Sequence, residues 1–235
     1  QMMDALPITL GQEFGAYARA ISRDRWRIYK VEERLREINI GGTAVGTGMN
    51  APLMYIYSVT EELQRLSGLG IARSDLLIDS TQNMDVFTEV SGLLKSLATN
   101  LIKISNDLRL MASGPMGGFG EINLEAHQAG SSIMPGKINP VIPEMITQIA
   151  FRVIGADTTI TMAASSGQLE LNAYTPLIAS ELLTCLDLLI EGITIFNHKC
   201  IQTITANKEH CYNLALSSYS LGAAFIDSLG YDQAS

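Results

Sequence analysis

The stretch DVFTEVSGLLKSLATNLIKISNDLRLM, residues 85–111, decides the fold class of this chain. Its apolar residues recur at steps of three or four, which is the repeat of one face of an α-helix. They are Val86, Val90, Leu93, Leu97, Leu101, Ile104, Leu108 and Met111. At 1.5 Å per residue this helix would be roughly 40 Å long, which exceeds an ordinary globular helix and is typical of a rod in a bundle.

Helical spacing continues on both sides of this stretch. Thr9 and Gln12 form a Thr-x-x-Gln capping box, and apolar residues at helical intervals follow as far as Ile38, before Gly41. The same period predicts helices over residues 53–66, 141–158, 173–200 and 208–227. Few segments alternate with period two. We therefore expect an all-α fold, an elongated bundle of about five long helices with almost no sheet.

Composition and charge exclude several classes of protein. The 235 residues are 47% apolar and 17% charged, which is a normal globular balance. The net charge of −8, with scattered Lys and Arg, argues against a nucleic-acid or anionic-membrane partner. The most apolar stretch, residues 178–193, carries Glu181, Asp187 and Glu191, which excludes a membrane span. Three cysteines and no signal peptide predict a reducing, cytoplasmic location.

One long irregular stretch, residues 113–140, separates the predicted helices, and it contains the sequence GSSIMPGKINP at residues 130–140. Two hydroxyls, an ammonium and a carboxamide lie there on a glycine-bounded backbone. Lys137 supplies a positive charge and Asn139 a directional donor, and both suit a carboxylate. The next helix begins near Asn139, and its N-terminus also favours negative charge. These residues predict a carboxylate receptor. A surface linker that uses Ser, Gly and Pro only for turns is the other interpretation, and physics alone leaves both open.

The stretch also resembles a known family. Gly-Ser-Ser-x-Met-Pro-x-Lys-x-Asn-Pro, at residues 130–140, is similar to the long motif of the aspartase/fumarase superfamily. Residues 4–14, 42–48 and 106–115 resemble further blocks of that family, and residues 157–172 resemble aspartases rather than fumarases. The resemblance covers essentially all 235 residues. It implies the central helical domain of a family chain, with the N-terminal and C-terminal domains absent, so we expect a piece of a longer polypeptide.

The resemblance implies a reaction and a set of roles. The reaction is elimination of ammonia from L-aspartate to give fumarate, in which a serine removes the C3 proton and an aci-carboxylate intermediate forms. It assigns the base to Ser131. It assigns substrate binding to Ser132, Ile133, Met134, Lys137, Asn139 and Gln1, with Ile133 and Met134 acting through backbone N–H groups.

Glu144 is the supporting residue that the resemblance implies. It matches a family glutamate that orients a histidine, but Gln1 occupies the histidine position and does not titrate. A helix-dipole role in the first turn is the other interpretation. His127, His198 and His210 match no metal spacing, and we expect them to be surface or structural residues.

The family also implies a homotetramer whose helices merge into one core, a dicarboxylate substrate and no cofactor. Two alternatives to an ammonia-lyase remain at this stage. The first is class II fumarase, which hydrates fumarate through the same intermediate chemistry. The second is a catalytically incomplete core that serves only to oligomerise.

Overall fold

The structure, a computed structural model, describes residues 3–234. In chain order the helices are α1 (Leu10–Tyr29), α2 (Val31–Arg34), α3 (Leu53–Ser67), α4 (Leu77–Gln82), α5 (Asp85–Met111), α6 (Val141–Ser165), α7 (Thr175–Lys199), α8 (Lys208–Ser217), α9 (Ile226–Leu229) and α10 (Tyr231–Ala234). The strands are β1 (Glu37–Ile38), β2 (Ala72–Arg73), β3 (Ile122–Asn123) and β4 (Thr205–Ala206). Five helices within the described residues have 15 residues or more, which confirms the predicted all-α class.

Local sequence signals set the ends of the long helices. The capping box forms as predicted, because the Thr9 N–H donates to Gln12 Oε1 at 3.0 Å and the Gln12 N–H donates to Thr9 Oγ1 at 3.2 Å. At the end of α3, Gly68 adopts φ +69° and its N–H donates to the Gln64 carbonyl at 2.9 Å. The bounds of α5 match the prediction from apolar spacing, residues 85–111.

The first predicted helix is wrong beyond Tyr29. α1 ends there, one short turn follows as α2, and Ile38 lies in β1 instead of a helix. β1 pairs in parallel with β2, and the flanking bond from the Ala72 N–H to the Arg36 carbonyl is 2.7 Å long. Backbone groups that would continue the helix therefore bond to a segment more than 30 residues away, a partner that helical periodicity does not reveal.

The last predicted helix, residues 208–227, is also wrong in its second half. α8 ends at Ser217, and a 3₁₀ segment, Tyr219–Phe225, precedes α9. Ser218 has an extended backbone, with ψ 139°, and its hydroxyl donates to Asp4 Oδ2 at 2.7 Å. A contact with the other end of the chain thus accompanies the end of the helix.

The chain divides into two compact units. One contains the chain up to Ala20, Ile102–Ile146 and the chain from Ile193 onward; the other contains Ile21–Leu101 and Thr147–Gly192. The prediction of one helical domain over residues 1–235, with the family's terminal domains absent, stays a prediction. No helix among residues 3–234 has both the length and the hydropathy that crossing a membrane would require.

In the second unit, α5, α6 and α7 bury one apolar core. Its buried members include Val90, Leu94 and Leu97 of α5, Val153 and Ile160 of α6, and Ile178 and Leu189 of α7. A carboxylate lies among them. Asp157 accepts hydrogen bonds from Ser91 Oγ and Lys95 Nζ, both at 2.5 Å. These partners compensate the desolvation of the buried charge and fix how α6 faces α5 in this unit.

In the first unit, a polar cluster joins α1 to the second half of α5. The buried Tyr17 donates its hydroxyl hydrogen to Asp107 Oδ2 at 2.8 Å. Lys103 pairs with Asp107 and with Glu13, and its Nζ lies 4.6 Å from the centre of the Tyr17 ring. Together these contacts hold the end of α5 from which the glycine-rich stretch leaves.

Candidate active site

The stretch between α5 and α6 has two parts that are held differently. Residues 119–127, which we call the stem, lie along residues 199–210. β3 in the stem pairs antiparallel with β4, with Ile122 opposite Ala206 and Asn123 opposite Thr205. Asn207 donates its side-chain Nδ2 to the Gly120 carbonyl at 2.6 Å and its backbone N–H to the Glu121 carbonyl at 2.9 Å.

Residues 130–139, which we call the loop, close on themselves. The Gly130 N–H donates to the Lys137 carbonyl at 2.9 Å, and Asn139 Nδ2 donates to the Gly130 carbonyl at 3.1 Å. Gly136 turns the chain with φ +79°. A Cβ at Gly130 would lie 2.5 Å from the Lys137 carbonyl oxygen, so this closure requires glycine. The sequence-predicted residues from Ser131 to Asn139 are therefore brought together on one small ring of backbone.

The Ser131 hydroxyl oxygen accepts hydrogen bonds from two backbone N–H groups. The N–H groups of Ile133 and Met134 both donate to Ser131 Oγ, each at 3.2 Å. Two donors aimed at a hydroxyl oxygen favour its deprotonated form, because each hydrogen bond is stronger to an anion. In this structure the two N–H groups therefore serve Ser131, and their predicted contact with a substrate carboxylate stays a prediction.

Most of the remaining loop residues face solvent. Ser132, Ile133, Met134 and Lys137 are exposed, while Asn139 is half-buried. The side chain of Ile133 is 83% exposed, so its contribution to a site would come from the backbone. The bond from Asn139 to Gly130 shows a role in closing the loop that the sequence did not reveal, beside its predicted role in substrate binding.

Glu144 has a charged partner that the sequence analysis missed. Arg109, near the end of α5, places Nη2 3.6 Å from Glu144 Oε1 in the first turn of α6. The acidic residue occupies the turn where the helix dipole favours it, which supports the structural interpretation of Glu144. The other residue assigned beside it, Gln1, lies outside the described residues, so the role of Gln1 stays a prediction.

Two histidines bind the stem and its partner segment through backbone carbonyls, as expected of structural residues. His210 Nε2 lies 2.8 Å from the Phe119 carbonyl oxygen, and His127 Nε2 lies 2.5 Å from the Lys199 carbonyl oxygen. Burial raises the pKa of Glu121 in the stem, although His210 opposes this rise. His198 is exposed on the last turn of α7.

Two of the three thiols are not placed for catalysis. Cys185 and Cys200 are buried, and burial raises the pKa of Cys200 to about 11. Across residues 3–234 no three His, Cys, Asp or Glu side chains cluster in a way that could hold a metal ion.

Comparison with known proteins decides the family. A family model described as a lyase matches residues 1–155, which is more than half of the chain. The chain belongs to this lyase family. Its matched region contains the stem, the loop and the first turns of α6, so the geometry above is that of a family member.

Relatives of this lyase chain carry three kinds of name. An aspartate ammonia-lyase from Bacillus subtilis is 48% identical over 99% of the chain and 49% of its own length. A fumarate lyase:delta crystallin from Brucella melitensis, solved bound to cobalt, has a TM-score of 0.94 and 46% identity, covering all of the chain and 51% of that structure. A class II fumarase from Schistosoma mansoni has a TM-score of 0.88 and 32% identity, covering 99% of the chain and 52% of that structure. The lyase chain thus spans about half the length of the relatives it matches.

Proposed function

We propose that this lyase, in its full-length form, eliminates ammonia from L-aspartate to give fumarate. The observation that carries the chemistry is the pair of backbone N–H groups that donate to Ser131 Oγ. The 48% identity to an aspartate ammonia-lyase supports L-aspartate as the substrate. A dicarboxylate substrate also suits a loop that carries the exposed Lys137 and the half-buried Asn139.

The proposed first step is proton transfer to Ser131. The C3–H bond breaks, the proton goes to the Ser131 alkoxide, and the electron pair moves into the adjacent carboxylate to form an aci-carboxylate with two negative charges. The electron pair of the aci-carboxylate then forms the C2–C3 double bond of fumarate, while the C2–N bond breaks and the ammonium group of the substrate leaves as ammonia with the bonding electrons. The Ser131 hydroxyl finally gives its proton to water, which restores the alkoxide. A serine alkoxide needs stabilisation, which the N–H groups of Ile133 and Met134 supply.

The other loop residues have binding roles in this proposal. Lys137 and Asn139 bind the α-carboxylate, and Ser132 binds the β-carboxylate together with the backbone of Ile133 and Met134. Because those N–H groups donate to Ser131 in this structure, substrate binding requires the loop to shift or the N–H groups to be shared. Loop movement over the substrate also excludes water, which strengthens the electrostatic interactions inside the site.

A fumarase is the second candidate, and the 32% identity to a class II fumarase favours it. The two reactions share the proton abstraction and differ in the leaving group, so the loop geometry does not separate them. Fumarate absorbs in the ultraviolet, and its formation from L-aspartate and from L-malate by the full-length protein separates the candidates. We expect fumarate from L-aspartate. Formation from L-malate alone would replace the proposal with the fumarase.

A catalytically incomplete core is the third candidate, since the chain spans about half of its relatives. The same assay on residues 1–235 alone and on the full-length protein tests it. We expect activity in the full-length protein only. Equal activity in both would show that the chain contains a complete site. Absence of activity with either substrate in the full-length protein would support a purely oligomerising role.

The assembly that we propose is a homotetramer in the cytoplasm. Phe151 and Met162 of α6 are 59% and 65% exposed in the single chain, and Leu183 of α7 is 60% exposed. Phe151 and Met162 are eleven residues apart and share a helix face. Large apolar side chains grouped on one face favour burial against another chain. The three free cysteines fit a reducing compartment.

A further inference from the structure

The stem is attached to its partner segment at successive points, and His127 is the last of them before the loop. His210 contacts the Phe119 carbonyl, Asn207 contacts Gly120 and Glu121, and Asn123 Nδ2 donates to Asn207 Oδ1 at 2.6 Å. Four residues after Asn123, His127 Nε2 lies 2.5 Å from the Lys199 carbonyl oxygen. Every one of these contacts joins residues 119–127 to residues 199–210.

The His127 contact has a defined chemistry. A carbonyl oxygen only accepts, so the Nε2 atom of His127 carries the hydrogen that it donates. Lys199 is the last residue of α7, and the last carbonyls of a helix have no partner within the helix. His127 therefore supplies a hydrogen bond that the helix end needs. Its side chain is 20% exposed, so most of the imidazole ring is shielded from water.

Beyond His127 the hydrogen-bond partners of the chain change. In the described part of the chain, those of residues 130–139 run within the loop or to the start of α6, as with Gly130 to Lys137 and Val141 to Asn139. His127 thus marks the boundary between the anchored stem and the self-closed loop. Ser131 lies only four residues past this boundary.

We infer that His127 is a positioning residue, which fixes the start of the loop to the end of α7 and so sets where Ser131 Oγ lies. This inference rests on the proposed function of Ser131. Four residues span at most about 14 Å, so the anchor keeps Ser131 within that distance of the end of α7. Without it the nearest upstream anchor is Asn123, eight residues away, which doubles the length of the tether. A displacement of about 1 Å at a reacting group costs up to about 100-fold in rate.

Three variants of the full-length protein test this inference. His127→Ala removes the donor. His127→Gln keeps a side-chain N–H near the position of Nε2. His198→Ala is the matched control, because His198 is a histidine next to Lys199 at the same helix end but is exposed to solvent. For each protein, kcat and KM with L-aspartate are measured, together with hydrogen–deuterium exchange of the amides in residues 128–139.

We expect kcat to fall about tenfold in His127→Ala with KM changed less than threefold, because a misplaced base slows the chemical step more than it weakens binding. Exchange in residues 128–134 should become faster in the same variant. His127→Gln should restore both properties, and His198→Ala should match the wild type.

Two results would overturn the inference. One is a kcat in His127→Ala equal to that of the wild type, whatever the exchange shows. The other is a His127→Gln variant as impaired as His127→Ala, since ring packing and not the hydrogen bond would then be responsible. If the wild-type protein releases no fumarate from L-aspartate, the proposed function fails. Hydrogen–deuterium exchange in residues 128–134, compared between His127→Ala and His127→Gln, then still decides whether His127 anchors the loop.

Discussion

At the scale of single residues, Ser131 is the proposed base. Its hydroxyl oxygen is the loop atom to which the N–H groups of Ile133 and Met134 donate. Ser131→Ala should lower kcat with L-aspartate by about 1,000-fold, the usual size of a general-base contribution. Ser131 is only half-buried, so the thermal midpoint of unfolding should change little.

Ser217→Ala is a suitable control for this variant, because Ser217 is an exposed serine whose hydroxyl, among the described residues, bonds to the nearby Leu214 carbonyl alone. It should retain wild-type kcat. If Ser131→Ala keeps more than a tenth of the wild-type kcat while folding normally, the base is another group.

Gly130 tests whether the closed loop itself matters. In Gly130→Ala the new Cβ would lie 2.5 Å from the Lys137 carbonyl oxygen, so the bond between the two residues must open. We expect kcat to fall at least tenfold, because the opening shifts Ser131. Stability, measured as the thermal midpoint, should change little since most of the loop is exposed.

Gly117→Ala provides the comparison for this substitution. Among the described residues, no atom lies within 4 Å of a Cβ at Gly117, although Gly117 lies in the same glycine-rich stretch. Kinetics of this variant should match the wild type. A Gly130→Ala protein with wild-type kcat would show that loop closure is dispensable.

At the scale of elements, Tyr17 links α1 to α5 and makes stability depend on pH. Burial raises the pKa of Tyr17 above its ordinary value near 10, and hydrogen bonds to Glu13 and Asp107 raise it further. The folded chain therefore keeps a proton that the unfolded chain releases above pH 10. This contribution to stability is present below pH 10 and is lost as the pH rises beyond it.

Tyr17→Phe should consequently lower the free energy of unfolding by about 1.5–3 kcal/mol at pH 7, the value of a hydrogen bond to a charged group. The difference from the wild type should shrink above pH 10. Urea unfolding at pH 7 and pH 10.5 measures both effects. Tyr29→Phe on the same helix, where Tyr29 is 76% exposed, should leave the free energy unchanged at either pH. If the difference in free energy of unfolding between the wild type and Tyr17→Phe grows with pH, Tyr17 does not have the raised pKa assigned to it.

The elements also show which parts of this molecule are encoded locally. The bounds of α5 follow from apolar spacing, and the start of α1 follows from the capping box of Thr9 and Gln12, because both signals act within one or two turns. The end of α1 and the strand β1 depend on β2, and the stem depends on residues 199–210. Pairing between distant segments leaves no period in the sequence.

The same division applies to the candidate site. The motif at residues 130–140 identified the loop that contains Ser131, and glycine at Gly130 and Gly136 indicated its turns. The partners that hold the site were not predictable, because Arg109 reaches Glu144 across 35 residues and His127 reaches Lys199 across 72. A side chain that bonds to a distant backbone carbonyl has no sequence signature beyond its residue type.

At the scale of the whole molecule, the apolar face of α6 tests the proposed homotetramer. Phe151 is 59% exposed in the single chain, and burial of a Phe side chain contributes about 1.5–3 kcal/mol in each subunit. Phe151→Glu would place a charge in the proposed interface, where desolvation is unfavourable. We expect the full-length variant to dissociate, and light scattering coupled to size-exclusion chromatography measures its mass.

Phe151→Leu is the matched control, because leucine keeps an apolar side chain at the same position and adds no charge. It should remain a tetramer at the concentration where Phe151→Glu dissociates. Circular dichroism separates dissociation from unfolding, since a dissociated variant retains its helical signal. If the wild type is a monomer, or if Phe151→Glu keeps the wild-type mass, the exposed face of α6 serves another purpose and the tetramer is not built on it.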